Sequence, residues 1–165
     1  MGYWGLGILD GDTPLDLLSK YGEEFGFYKY VQGKGKKPGK YVPSDENPSE
    51  WGTPTRTPKP EDVDPEYEEY DPLIQETIFA TLGIISGQGV PDWVIKELTT
   101  AARIKAHTEP WDDPKAKKKI LQDFVKLAKK YALDPGQRWK KEPRFEPYTE
   151  FGPGNRPYPF VGEKD

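Results

Sequence analysis

Two carboxylates one residue apart, Asp10 and Asp12, stand behind the mostly apolar run 6–9 and ahead of Thr13. These are the residue types of metal-assisted phosphoryl transfer, and they supply the sharpest enzyme reading in the chain. A second cluster is acidic throughout: Glu61, Asp62, Asp64, Glu66, Glu68, Glu69 and Asp71. A third is aromatic. Trp139, Phe145, Tyr148, Phe151, Tyr158 and Phe160 alternate with Pro143, Pro147, Pro153, Pro157 and Pro159. Rings at short intervals on a proline-stiffened chain form an adhesive strip, for the chain's own bundle or for another protein. His107 is the single histidine and cysteine is absent, which excludes disulfides, thiolate zinc sites and cysteine nucleophiles.

The stretch 6–13 resembles the first motif of the haloacid-dehalogenase phosphatases. That resemblance implies Asp10 as nucleophile, Asp12 as general acid and a magnesium ion held by both. Thr13, however, follows the second aspartate directly, where the family has another residue between. No strand–helix–strand alternation follows to build the parallel sheet that the motif needs. Asp112-Asp113, the only candidate for a late metal pair, stands where a helix opens. Turn and N-cap duty explains Asp10, Asp12 and Thr13 equally well. A calcium loop is excluded because Pro14 takes a ligand position and no glutamate lies at the twelfth. There is no Walker loop and no glycine–serine–glycine elbow. His107 reads as a helix C-terminal residue beside Thr108-Glu109-Pro110. No catalytic, cofactor-binding or metal-ligating residue is assigned.

The elements that would position these residues begin with the leader. Trp4, Leu6 and Ile8 fall on one face of an extended segment, with Gly5 and Gly7 allowing close approach of another backbone. After Asp10-Gly11 the chain turns, and Asp12 or Thr13 can cap a helix over about 14–22. Gly2-Tyr3-Trp4-Gly5-Leu6-Gly7-Ile8, then Asp10, Asp12 and Asp16, resembles the opening of the small bacterial and phage family catalogued as domain of unknown function 4259. Residues 71–131 are similar in kind to the rest of that family. The resemblance implies a mostly helical fold and brings no activity, cofactor or site residue.

Periodicity fades over 31–70, where a basic glycine-rich loop (32–40) gives way to a proline-rich stretch and then to the acidic run. Three helices follow. Asp71-Pro72 opens one with Ile74, Ile78, Leu82 and Ile85 in a stripe, ending at Ser86-Gly87. Pro91 opens a second, with Val94, Leu98, Ala101 and Lys105 on one stripe. Asp113-Pro114 opens a third, with Ile120, Phe124, Leu127 and Tyr131 on one face and Lys115, Lys118, Lys119, Lys126, Lys129 and Lys130 on the other. The fold class expected is mainly α: a small antiparallel helical bundle with a short N-terminal anchor and long irregular arms. Residues 1–133 read as a single helical domain with an irregular insert at about 31–70, and 134–165 as an extended tail.

Composition bounds the function. Charged residues make up 32%, apolar ones 34%, and there are 17 Gly and 18 Pro in 165 residues. Five Trp, ten Tyr and seven Phe argue for ordered wrapping arms rather than disorder. The net charge of −4 and the acidic run argue against nucleic acid as a partner, despite the lysine face. No basic start with an apolar run marks a signal peptide, and 78–85 is too short to span a bilayer, so a cytoplasmic protein without membrane contact is expected. The function expected is a non-catalytic protein-binding module, an inhibitor, immunity or anti-defence protein or assembly component. Its contacts are expected at Trp139, Phe145, Tyr148, Phe151, Tyr158, Phe160, Glu66, Glu68 and Glu69. A magnesium-dependent phosphohydrolase using Asp10 and Asp12 is the alternative.

Overall fold

A computed structural model describes residues 5–31, 35, 40–43, 54–146, 148 and 158–160, with the backbone alone for 28–31 and 40–43. Trp4 and Phe151 lie outside the described residues. The fold is mainly helical. Its centre is α3 (Ile74–Ser86), whose thirteen residues are all buried. The expected Ile74/Ile78/Leu82/Ile85 stripe describes only part of it. Gln75, Thr77, Thr81 and Ser86 are buried as well, and each finds a partner. Thr77, Thr81 and Ser86 hydroxyls donate to carbonyls one turn back, at 2.5–2.9 Å. The Gln75 side chain accepts from Asp64 N–H at 2.8 Å and donates to the Asp64 carbonyl at 2.9 Å.

Around this rod pack α1 (Asp12–Glu24), α2 (Pro65–Tyr70), α4 (Asp92–Leu98) and α6 (Pro114–Lys130), with α5 (Ala101–Thr108) bridging α4 and α6. A hairpin of β1 (Tyr28–Val31) and β2 (Lys40–Pro43) pairs antiparallel, Tyr28 opposite Pro43. Among the described residues no helix is long and apolar enough to cross a membrane.

Three local expectations change. α1 begins at Asp12, inside the helix, with Gly11 at the cap and no side-chain cap bond; Asp12 acts instead as an acidic first-turn residue. The long second helix is two. Thr99 and Thr100 both donate their hydroxyls to the Lys96 carbonyl (2.9 and 3.1 Å), α4 ends there, and the helical phase resets. Ala101 and Lys105 are therefore exposed, while His107 and Thr108 point inward. Finally, part of the stretch expected to be irregular is regular. Asp64 accepts from Glu66 N–H at 2.9 Å and Pro65 starts α2, the same acid–proline device that Asp113 uses at α6, where its carboxylate accepts from Ala116 N–H at 3.1 Å.

Long-range closure comes from irregular backbone. Ile8 and Leu9 N–H donate to the Pro159 and Phe160 carbonyls at 3.0 and 2.9 Å, so the leader and the tail pair with each other. Segment 54–60 is strapped to the core. Thr55 N–H bonds the Phe25 carbonyl at 2.8 Å, the Arg56 guanidinium lies 4.6 Å from the Phe25 ring centre, and Trp93 Nε1 donates to the Pro58 carbonyl at 3.0 Å. At the C-terminal end of α3 the next loop folds back so closely that a Cβ on Gly83 would stand 2.1 Å from the Gly89 carbonyl oxygen.

Candidate functional site

The leader does not present its aspartates together. Asp10 is buried at 7% exposure and its Oδ2 accepts from Gly7 N–H at 2.9 Å. A Cβ on Gly5 would lie 2.5 Å from that same oxygen, which is why a glycine is needed there. Asp12 is exposed on α1. The sheet of the described residues is the two-stranded hairpin, remote in type from the parallel sheet that a phosphatase motif would need. Among the described residues no three His, Asp or Glu side chains are gathered so as to hold a metal ion.

Asp10 instead joins a buried polar seam. Lys117, on the apolar face of α6 with Ile120, Leu121 and Phe124, is 2% exposed. Its Nζ donates to the Leu6 carbonyl at 2.9 Å and lies 4.1 Å from the centre of the Trp111 ring. Burial pushes its ammonium down to about 8, with the Asp71 and Asp10 carboxylates pulling the other way. Asp71 also bonds His107 Nδ1, so the lone histidine is a buried partner of a carboxylate.

Beyond Asp71 the seam continues to Arg103. Its guanidinium reaches Glu76 Oε2 at 2.9 Å, the Glu68 and Glu97 carboxylates and the Pro72 carbonyl, tying α5 to α2, α3 and α4. Glu76 is 1% exposed, and its Oε1 is buried without a hydrogen-bond partner among the described residues. Burial drives Glu76 up to about 8, and the neighbouring Glu97 and Asp71 carboxylates add to the rise. Three carboxylates thus converge on one guanidinium, an arrangement that holds best with one of them protonated.

The described rings of the tail lie on the chain's own bundle. Trp139 is 7% exposed, packs edge-on to Phe25 and Phe27 at 5.9 and 5.1 Å, and donates Nε1–H to the Gly89 carbonyl at 2.8 Å. Phe160 is fully buried against Phe124 and Tyr148. Phe145 N–H bonds the Gly87 carbonyl at 2.9 Å and its half-buried ring meets Tyr131. Half-buried Tyr158 bonds the Asp123 carboxylate. These rings serve the chain's own core rather than a free strip. Of the acidic set, Glu68 is turned in to Arg103, while Glu66 and Glu69 are exposed beside Tyr70, which is 65% exposed.

Comparison with family models, curated proteins and solved structures gives no match to this chain. Any functional reading therefore rests on its own residues. Reading by residue type missed Lys117, Glu76 and Arg103. Lys117 had a signal, since it stands three, four and seven positions before Ile120, Leu121 and Phe124. Glu76 and Arg103 meet across 27 residues, and no local pattern joins them.

Proposed function

We propose that this chain is a non-catalytic protein-binding module that meets a basic partner surface through α2. The observation that carries the reading is the ridge of Glu66, Glu69 and Tyr70. Tyr70 is the large hydrophobic side chain left exposed among the described residues, and two exposed carboxylates flank it. Tyrosine contributes strongly at protein interfaces, and charge beside it speeds and orients encounter. Glu68, on the same short helix, is held by Arg103, so the ridge is anchored before any partner arrives. A bacterial or phage setting is part of the same proposal and rests only on the resemblance of residues 2–16 to domain of unknown function 4259, which no family model matches. There, such a module would act in the cytoplasm as an inhibitor, an immunity or anti-defence protein, or an assembly component.

The test is affinity capture with the whole chain and with Glu66→Lys/Glu69→Lys/Tyr70→Ser, three exposed changes that leave the core intact. A defined protein retained by the parent, released by salt and lost with the triple variant is the expected outcome. Equal capture by both chains would reject the ridge.

A further inference from the structure

The solvent side of α6 carries charge of one sign. An arc of about 120° holds Gln122 and six exposed lysines, Lys115, Lys118, Lys119, Lys126, Lys129 and Lys130. The carboxylate at its edge, Asp123, is engaged by Tyr158 and by Lys119 at 3.4 Å. Asp112 and Asp113 stand at the helix start, so the N-terminal lysines have acids near them in sequence. The C-terminal three differ: Lys126, Lys129 and Lys130 form no ion pair among the described residues. Lys126 and Lys130 are four apart, a spacing at which like charges destabilise a helix. The excess continues past the helix, where residues 126–146 hold seven Lys and Arg against three Asp and Glu, in a chain of net charge −4. The rest of the chain is correspondingly acidic. Charge segregated in this way puts both halves of an attractive pair on one molecule.

Spacing matches the two halves. Glu66, Glu69 and Tyr70 stand at the first, fourth and fifth positions of one face of α2, and Lys126, Lys129 and Lys130 repeat that spacing on α6. Neighbours at this spacing have Cβ atoms about 5–6 Å apart on either helix, so two carboxylates can meet two ammoniums at once. The Tyr70 ring then has a third ammonium to cover. The chain's own α2 does not make this contact, since no ion pair joins α2 to α6 among the described residues. α6 comes near α2 at Lys117, whose ammonium feels the Asp71 carboxylate. Lys126 and Lys130 lie about 14 and 20 Å further along the helix axis. We propose that the basic surface met by α2 is this lysine ridge on a second copy of the chain, with Glu66 and Glu69 against Lys126 and Lys129 and Tyr70 beside Lys130. Such pairing rests on α2 as the docking face, as proposed above, and makes the chain a component of its own assembly.

The experiment is sedimentation equilibrium of the whole chain from about 10 µM to about 0.5 mM, in about 50 mM and about 500 mM salt. The expected mass rises with concentration at low salt and stays that of the monomer at high salt. Glu66→Lys/Glu69→Lys and Lys126→Glu/Lys129→Glu/Lys130→Glu, all at exposed positions, should each weaken association roughly tenfold or more. An equimolar mixture of the two variants should associate again, since each supplies the sign that the other has lost. A parent that stays monomeric at low salt, association that either variant leaves unchanged, or a mixture that stays monomeric would overturn the proposal. The two readings fail separately. A monomeric parent that holds a foreign protein through α2 rejects self-pairing and keeps the ridge, whereas equal capture by the parent and the α2 triple variant rejects the ridge itself.

Discussion

Lys117 Nζ donates a 2.9 Å hydrogen bond to the carbonyl of Leu6, 111 residues earlier, from a side chain that is 2% exposed. One ammonium thus closes the leader onto α6. Lys117→Met keeps the apolar stem but leaves the Leu6 carbonyl without its donor and Asp10 and Asp71 without a neighbouring cation. The expected loss is about 3 kcal/mol in urea denaturation. A loss below about 0.5 kcal/mol is typical of surface positions and would mean that the ammonium sits in water.

Two buried groups make stability depend on pH in opposite directions. Glu76 is raised from 4.5 to about 8, so the folded chain holds its proton more tightly, and this contribution is lost as pH rises from 4.5 through 8. Lys117 is lowered from 10.5 to about 8, so its contribution is complete above 10.5 and is lost as pH falls toward 8. The two arms meet near pH 8, where their joint contribution is lowest. Melting profiles of the parent minus Glu76→Gln should show the acid arm, and those of the parent minus Lys117→Met the alkaline arm. Flat difference curves would contradict the burial of both groups.

Asp10 separates the binding module from the phosphohydrolase alternative. Its carboxylate holds the Gly7 amide and lies beside Lys117, so Asp10→Asn should cost about 1–3 kcal/mol of stability. Phosphatase assays with magnesium, run below the variant's melting point, should find no turnover in the parent chain for the change to remove. Turnover in the parent that vanishes in a still-folded Asp10→Asn chain would favour the hydrolase.

Trp139→Ala tests whether the tail belongs to the core. Removing a ring packed on Phe25 and Phe27 should cost about 3–5 kcal/mol. An unchanged melting temperature would return Trp139 to the list of partner contacts.

The amino-acid sequence by itself determined the helices that carry their own signals. At α6 the Asp113-Pro114 start and the Ile120/Phe124 spacing act within a turn or two, so a linear reading finds the start and part of the buried face; Leu127 and Tyr131, expected on that face, are half-buried, while Leu121, Val125 and Ala128 are buried beside it. The end of α3 at Gly87, where φ is +75°, is equally local. Only the tertiary structure decided what the polar residues do. Lys117 stands in register with the apolar face of α6, but only the fold brings the Leu6 carbonyl over it to accept from its ammonium. His107 is a helix-end residue in both readings, and only the fold sets Asp71 beside it, 36 residues away. Trp139 and Phe160 belong to an adhesive strip in either reading, and only the folded chain shows that the surface they cover is its own. The physical reason is range. Caps and apolar periodicity are satisfied by neighbours in sequence, whereas a buried charge or a ring on an irregular arm is satisfied by whatever distant backbone the fold brings to it.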